Sequence, residues 1–448
     1  MTRLPRPPTE PAAVFEQVVI EGAQIRLVYS WEGVRYTYRI TVEGVTTGRS
    51  PDPALAFRVG LGFAPFFAGF LSPRVLVVRA GALDEDEVGR WERWYTRGLA
   101  EKSFRHGLDP GTSVVVESDC AWGRAPASAH HGVLLMNGGG KDSAVAAEIL
   151  REAGVGFRWL SVRPGRAQEA VAEASGVSHA VRVRAGWETV PPLRLFRYEG
   201  PAPVLLFYDL VAVLAAEMVG AALVATGNER SADHGNLEWR GVEVNHQYTK
   251  SHAFEAELND LLGGLGSPVR LFSVLRSLWD LQVAELFASL PAYHSAFASC
   301  NLGQVGGRAA WCGRCPKCAA TALALAPFLP ARTLHGFFGR DLLDDVEMLP
   351  VFLALAGLEG TKPFECVGTP AEALAAVALA PGDTLALREI RRRVGPDRLA
   401  AAAREVRGGW NEQTLAPPEI ATAIREAVAR LRTRAAAGEP PSPVLSDP

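Results

Sequence analysis

Between Leu134 and Val145 the chain reads LLMNGGGKDSAV, a short apolar run, three glycines without side chains at Gly138, Gly139 and Gly140, and then Lys141, Asp142 and Ser143. A strand that ends in a glycine loop at a helix start turns free backbone N–H groups and the positive end of the helix toward one point. Phosphate is the natural occupant of such a cradle. The kinase and GTPase P-loop requires a first glycine where this chain has Leu135, and Asp142 stands where its magnesium-binding hydroxyl would be. The dinucleotide fingerprint fails too, because no third glycine follows at the helix start. A second chemical feature is SCNLGQVGGRAAWCGRCPKC, which places Cys300, Cys312, Cys315 and Cys318 as C-x11-C-x2-C-x2-C. Two-residue spacings let successive thiolates converge on one ion, and four sulfurs closing a tetrahedral site favour structural zinc, with an iron–sulfur cluster as the competitor.

These residues need elements to hold them. From Gly132 on, short apolar runs alternate with helical ones: VLLM, KDSAVAAEILREAG, FRWLSV, RAQEAVAEASG, HAVRVRA, a helix over Val204 to Val219, and ALVAT. This alternation predicts βαβ units and an α/β fold with a parallel sheet and helices on both faces. Ligands of such sheets bind beyond the strand carboxyl ends, where Asn228, Glu229, Arg230 and Ser231 follow ALVAT. Arg230 suits a carboxylate or phosphate. Ahead of this region, IRLVYSWEGVRYTYRITV alternates in period two around a Glu32-Gly33 turn, a β-hairpin. LDEDEVGRWERWYTRGLAEKSFRHG, acidic at its start and basic at its end, predicts one helix whose Trp91 and Tyr95 pack a core. Beyond Ala331 the chain is Ala- and Arg-rich and helical in pattern, with Ile420, Ile424, Val428 and Leu431 forming one stripe. The expected organisation is a disordered leader (1–14), an N-terminal α+β domain (15–126), a nucleotide-binding domain (127–330) with the cysteine segment at 300–318, a C-terminal helical region (331–437) and a disordered tail (438–448).

At 448 residues the chain has room for two or three domains, each with its own core. A formal net charge of -3 argues against non-specific nucleic-acid binding, which works through a basic surface. Six cysteines, four of them in one cluster, suit a metal site in a reducing compartment better than a secreted disulfide framework. The proline-rich start has no apolar signal region, so a cytoplasmic protein is expected. The longest apolar window, Ala202 to Thr226, carries Asp209 and Glu217 and reads as a buried helix followed by a strand, with no membrane span.

The segment MNGGGKDS resembles the PP-loop of the ATP pyrophosphatase superfamily, an adenine nucleotide alpha hydrolase-like fold, with Asn137 in place of the usual first Ser and one extra glycine. That resemblance implies cleavage of ATP to AMP and diphosphate, with Asn137, Ser143 and the glycine amides on the nucleotide, Lys141 beside them, and Asp142 on magnesium. Glu229 could complete the magnesium site. A similar cysteine cluster follows the PP-loop domain in 7-cyano-7-deazaguanine synthases. Taken with NERSADHGNLEWRGVEVNHQYTKSHAFEAEL, WCGRCPKCAATALALAPFL and KPFECVG, the ordered set resembles the UDP-N-acetyl-muramoyl-L-alanyl-L-glutamate epimerase (MurL) family, from the N-terminal hairpin to about residue 375.

The family resemblance implies ATP-dependent inversion of the terminal glutamate of a UDP-muramoyl dipeptide, a step of peptidoglycan precursor synthesis. A carbanion beside a carboxylate would be doubly charged; adenylation removes that obstacle, so a PP-loop is a reasonable engine for an epimerase. Inversion then needs bases at Cα. In the resembling blocks the candidates are His246, Tyr248, Lys250 and Cys366, with Lys250 ranked as a binder of carboxylate or phosphate, and Tyr248 as a packing or substrate-binding residue. Cys366 lies outside the metal cluster and would act as a base if a cation such as Lys362 lowered its pKa. The alternatives are a PP-loop nucleobase- or tRNA-modifying enzyme and a zinc-stapled module that senses ATP.

Overall fold

The computed structural model describes residues 12–45, 49–71, 75–125, 130–177, 180–192, 202–300 and 311–438. The chain opens with a meander of β1 (Ala13–Glu21), β2 (Gln24–Trp31) and β3 (Val34–Glu43), whose turn at Glu32-Gly33 is the one expected. β1 begins inside the segment read as a leader, because Ala13 and Phe15 are fully buried; residues 1–11, and 439–448 of the expected tail, lie outside the described residues. Helix α1 (Pro53–Leu71), β4 (Val75–Val78), α2 (Glu85–Gly98), α3 (Ala100–Arg105) and β5 (Ser113–Val116) follow. The single helix expected over this last helical stretch is thus two, interrupted at Leu99. Pro203 packs so closely on Gly98 that a Cβ there would sit 2.7 Å from it, and glycine itself weakens a helix interior. Asp84 caps α2, accepting from Glu87 N at 2.8 Å, and Trp91 and Tyr95 are buried as expected.

The alternating half then runs β6 (Val133–Met136), α4 (Lys141–Glu152), β7 (Phe157–Val162), α5 (Arg166–Ser175), β8 (Ala180–Trp187), α6 (Val204–Val219) and β9 (Leu223–Thr226). A two-stranded ribbon of β10 (Leu237–Trp239) and β11 (Val242–Val244) leads to α7 (His252–Gly264), β12 (Arg270–Ser273), α8 (Asp280–Ala288) and α9 (Pro316–Leu325). All regular elements described beyond α9 are helical. In the helix Pro418–Ala437, Ile424, Val428 and Leu431 are buried, and Ile420 packs beside them.

Ten strands form one sheet in the order β12-β9-β6-β7-β8-β3-β2-β1-β4-β5, mostly parallel, with the antiparallel meander joined to the βαβ half through β3 and β8. Alternation along each strand divides the apolar residues between two cores. Leu134, Leu160, Val224 and Leu271 face α1 and α6, while Leu135, Trp159, Ala225 and Phe272 face α4, α8 and the C-terminal helices. The apolar window from Ala202 thus becomes a buried helix and a strand. Among the described residues no helix is long and apolar enough to cross a membrane. From β6 the chain moves to β7 and β8 on one side, then returns through α6 to β9 and β12 on the other. The adjacent carboxyl ends of β6 and β9 are therefore the topological switch point, where open α/β sheets form their ligand crevice.

Candidate functional site

The glycine loop and the 227–231 segment meet at that switch point. A Cβ on Gly227 would lie 3.2 Å from the Asp142 carbonyl oxygen. Within the loop, Ser143 Oγ accepts from Gly138 N at 2.8 Å, Asn137 Oδ1 accepts from Gly139 N at 2.9 Å, and Asn137 Nδ2 donates to Gln168 O at 2.8 Å. The three glycines differ in purpose. Gly139 has φ +75, and a Cβ there would meet Ala167 at 2.7 Å; at Gly140 it would meet Ser299 Oγ at 2.5 Å. Those two let the protein's own chain approach, whereas Gly138 would meet only Ser143 Oγ, at 3.6 Å. The first-turn amides of α4 remain free of intrahelical partners.

Lys141 is buried and ion-paired to both Asp142 and Asp280. Removal from water would lower its pKa, but Asp142, Asp280 and Glu229 outweigh that and hold it fully charged. Burial pushes the Glu229 carboxyl up, with Lys250 opposing and Asp142 and Asp280 reinforcing; its Oε2 is buried with no hydrogen-bond partner among the described residues. Asp280, the first residue of α8, had no sequence motif to mark it. Neither had Arg276, which is fully buried and donates to Glu229 O at 3.2 Å, Lys250 O at 2.6 Å and Glu255 Oε2 at 2.9 Å, fixing the backbone that presents Glu229 and Lys250.

Lys250 links this acidic half to a second cluster around Cys366. Removal from water opposes its charge, yet Cys366, Glu229 and Asp142 together raise its pKa. Burial alone would push the Cys366 thiol up; Lys250, a hydrogen bond from His246 and Lys317 reverse this and bring it down to about 6. His246 moves the opposite way: burial lowers it, but Cys366 and Glu101 push it up to about 9. His246 Nδ1 lies 2.5 Å from Glu101 Oε2, and because a carboxylate only accepts, Nδ1 is the donor. Two amide side chains pin the Cys366 loop to the His246 turn. Asn236 accepts from His246 N at 3.1 Å and donates to Lys362 O at 3.1 Å, while Gln247 Nε2 donates to Val367 O at 3.1 Å. Lys317 Nζ donates to Cys366 O.

Other residues singled out in the sequence fall at the margin. Tyr248 is buried in the core beyond the cluster, its ring 5.7 Å from Phe254 and under Arg97. Ser231 is fully buried, donating to Glu372 Oε1 at 2.9 Å and accepting from Asp280 N at 3.0 Å. Asn228 O accepts from Ser273 Oγ at 2.6 Å, and the Arg230 guanidinium lies 4.1 Å over the Trp279 ring. Lys362 donates to His234 O at 3.3 Å, and burial lowers its pKa.

The four clustered cysteines come together. Their Sγ atoms all lie within 4.8 Å of one another, with Cys300–Cys315 and Cys312–Cys318 at 3.7 Å and Cys315–Cys318 at 3.5 Å. One tetrahedral ion with sulfur bonds of roughly 2.3 Å sets sulfur–sulfur edges of about 3.8 Å, so the group fits a single ion. A four-iron cluster binds each thiolate to a different iron and spreads them wider. The segment also touches both halves of the site. Ala298 N donates to Gly139 O at 3.0 Å, Ser299 abuts Gly140, and Lys317 reaches Cys366 from the first turn of α9.

A family model described as the MurL N-terminal domain matches residues 21–274, and one described as the MurL C-terminal domain matches residues 296–392. Three curated relatives carry the name UDP-N-acetyl-alpha-D-muramoyl-L-alanyl-L-glutamate epimerase. The chain is 37% identical to that of Micromonospora sp. over 321 residues, 69% of this chain and 70% of the relative. It is 38% identical to that of Salinispora tropica over 304 residues, 64% of each. With that of Xanthomonas oryzae pv. oryzae it shares 33% over 368 residues, 79% of this chain and 81% of the relative.

Proposed function

Because this chain belongs to the MurL family, we propose that it inverts the terminal L-glutamate of UDP-N-acetylmuramoyl-L-alanyl-L-glutamate to D-glutamate through an acyl-adenylate, with ATP cleaved to AMP and diphosphate. The observation that carries this is Lys250, a half-buried lysine whose backbone Arg276 fixes together with that of Glu229 and whose charge is favoured by Glu229 and Asp142 of the glycine-loop half and by the Cys366 thiol. A glutamate α-carboxylate held by Lys250 would meet the nucleotide with its oxygen and Cys366 with its Cα.

In this mechanism the first-turn amides of α4 and the Ser143 hydroxyl, itself held by Gly138 N, bind the phosphates being released. Asp142 and Glu229, whose buried Oε2 lacks a partner among the described residues, would hold magnesium, which supplies neutralisation of phosphate charge. Adenylation converts the carboxylate into an acyl group whose carbonyl can accept negative charge. Cys366, a thiolate above about pH 6, then removes the α-proton, a proton from solvent returns to the other face to complete inversion, and water hydrolyses the inverted acyl-adenylate to release AMP and restore the glutamate carboxylate. Structural zinc is our assignment for the four-cysteine centre, since four sulfurs close the ion and leave no position for substrate.

Incubation of the protein with ATP, magnesium and the UDP-muramoyl dipeptide tests this reading. AMP and D-glutamate are expected in step, each depending on both ATP and dipeptide. AMP without inversion would point to a different PP-loop reaction, and ATP binding without AMP to a sensing module.

A further inference from the structure

Glu101 has an unusual position for a glutamate on a short helix. It is 4% exposed on α3, a helix supplied by the N-terminal part of the chain, far in sequence from the blocks that surround Lys250 and Cys366. Both of its oxygens are committed: Oε1 accepts from Arg105 Nε at 2.6 Å, and Oε2 faces His246 Nδ1 at 2.5 Å. Asn236 and Gln247 hold the Cys366 loop against the His246 turn, and there the imidazole and the thiol each favour the other's charged form. A carboxylate behind an imidazole behind a thiol is the arrangement in which a third group orients the base that activates a nucleophile or proton acceptor. Here the order is fixed by the tautomer, since only an Nδ1–H can serve Glu101.

We propose that Glu101 is a positioning residue for the Cys366 thiolate, holding His246 as its protonated, hydrogen-bonded partner. The inference rests on the reading of Cys366 as the group that takes the α-proton. The charges around the pair explain why a carboxylate is needed. Cys366 is faced by Lys250, Lys317, Lys362 and His246, and Glu101 by Arg105 and His246. Lys250 is balanced by Glu229 and Asp142 as well as by Cys366. His246 has no such reserve: beyond Cys366 itself, its charge is supported by Glu101. Without that carboxylate the half-buried imidazole, whose charge burial opposes, sheds its proton more readily, and the thiolate loses its protonated neighbour. The backbone is already set for the contact, because Asn236 and Gln247 tie the Cys366 loop to the His246 turn independently of Glu101. Glu101 thus acts on the protonation and orientation of the ring.

The test is alkylation of Cys366 by iodoacetamide across pH 5 to 9 in the full-length protein, with peptide mapping to separate Cys366 from the other cysteines. In the wild type the thiolate midpoint is expected near 6, as its surroundings dictate. In Glu101→Gln, which keeps size and shape, the midpoint should rise by about one pH unit, so that labelling at pH 6 slows about fivefold. Glu101→Asp should recover part of the difference, and the acid limb of the epimerisation rate should move in parallel. A Glu101→Gln protein that is less stable or less active but keeps its midpoint would reduce Glu101 to a structural ion pair and overturn the proposal. A wild-type midpoint above 8 would instead remove the thiolate reading on which it rests. Histidine NMR of the wild type provides a check independent of whether the variant folds: a His246 ring neutral at pH 7.5 overturns the proposal, and a protonated one supports it.

Discussion

Cys366 and Cys120 are the same residue type in very different surroundings. Cys120 is exposed, whereas Cys366 is drawn down to about 6 by Lys250, His246 and Lys317 against the opposing pull of burial. The sign of the resulting pH dependence follows from the pair. The folded thiol lies below its ordinary 9.0, so the stability it contributes is fully present above 9.0 and is lost as pH falls through about 6. The folded imidazole lies above its ordinary 6.5, so its contribution is full below 6.5 and is lost as pH rises through about 9. The ion pair therefore exists between those limits. Epimerisation should climb from pH 5 to pH 7 with an acid limb near 6, and Cys366→Ser should slow inversion far more than AMP formation; equal loss of both would make Cys366 structural. Asp142 yields a contrasting prediction at this scale. Its removal leaves Lys141 paired to Asp280, so Asp142→Asn should keep its Tm within about 4 °C while substrate-dependent AMP release falls on the order of 100-fold. Normal turnover in that variant would displace the phosphate site from α4. Lys141, Asp142, Lys250, His246 and Cys366 were legible because each sits in a short stretch of unusual composition. Asp280, Arg276 and Glu101 were not, since VLRSLWD and GLAEKS read as ordinary amphipathic segments until the fold buries those side chains.

At the scale of elements, periodicity identified the β2–β3 hairpin, the βαβ half and the buried α6 in advance, because each buries a regular stripe or an alternate face, but not β1. It could not show that β3 pairs with β8, a contact between residues far apart in sequence that makes one sheet of the two halves. Nor could it show what the cysteine segment touches. Ala298 and Ser299 contact the glycine loop and Lys317 contacts Cys366, so the cysteine segment is a strut between the two halves of the site. Removing the metal, or replacing Cys315 with Ser, should then do more than lower stability by a few kcal/mol, the expected loss when a structural ion contributes folding energy. Amide hydrogen exchange should quicken at Gly138 to Gly140 and around Cys366 together, with zinc content falling in proportion. Exchange confined to residues 311–318 would show the centre to be a local staple, and freshly purified protein with neither zinc nor iron would end the assignment.

Across the whole molecule, the site draws Glu101 from helix α3 in the N-terminal part of the chain, the glycine loop and Glu229 from the sheet's switch point, Asp280 from α8 and Cys366 from the C-terminal half of the chain. Such convergence suits a reaction with two parts, adenylation at the loop and proton transfer at the thiol, joined by Lys250. It also makes isotope exchange the sharpest test of the order of events. If the α-proton leaves only after the carboxylate becomes an acyl-adenylate, then turnover in heavy water should place deuterium at Cα of the product glutamate. No exchange should occur when ATP is withheld, because the free carboxylate cannot accept the developing charge. The Cys366→Ser protein should still release AMP but incorporate deuterium much more slowly, separating the two parts. Deuterium entering at the full rate without ATP would show that Lys250 and the thiol suffice to acidify Cα, and the adenylate would then have no part in the chemistry of inversion.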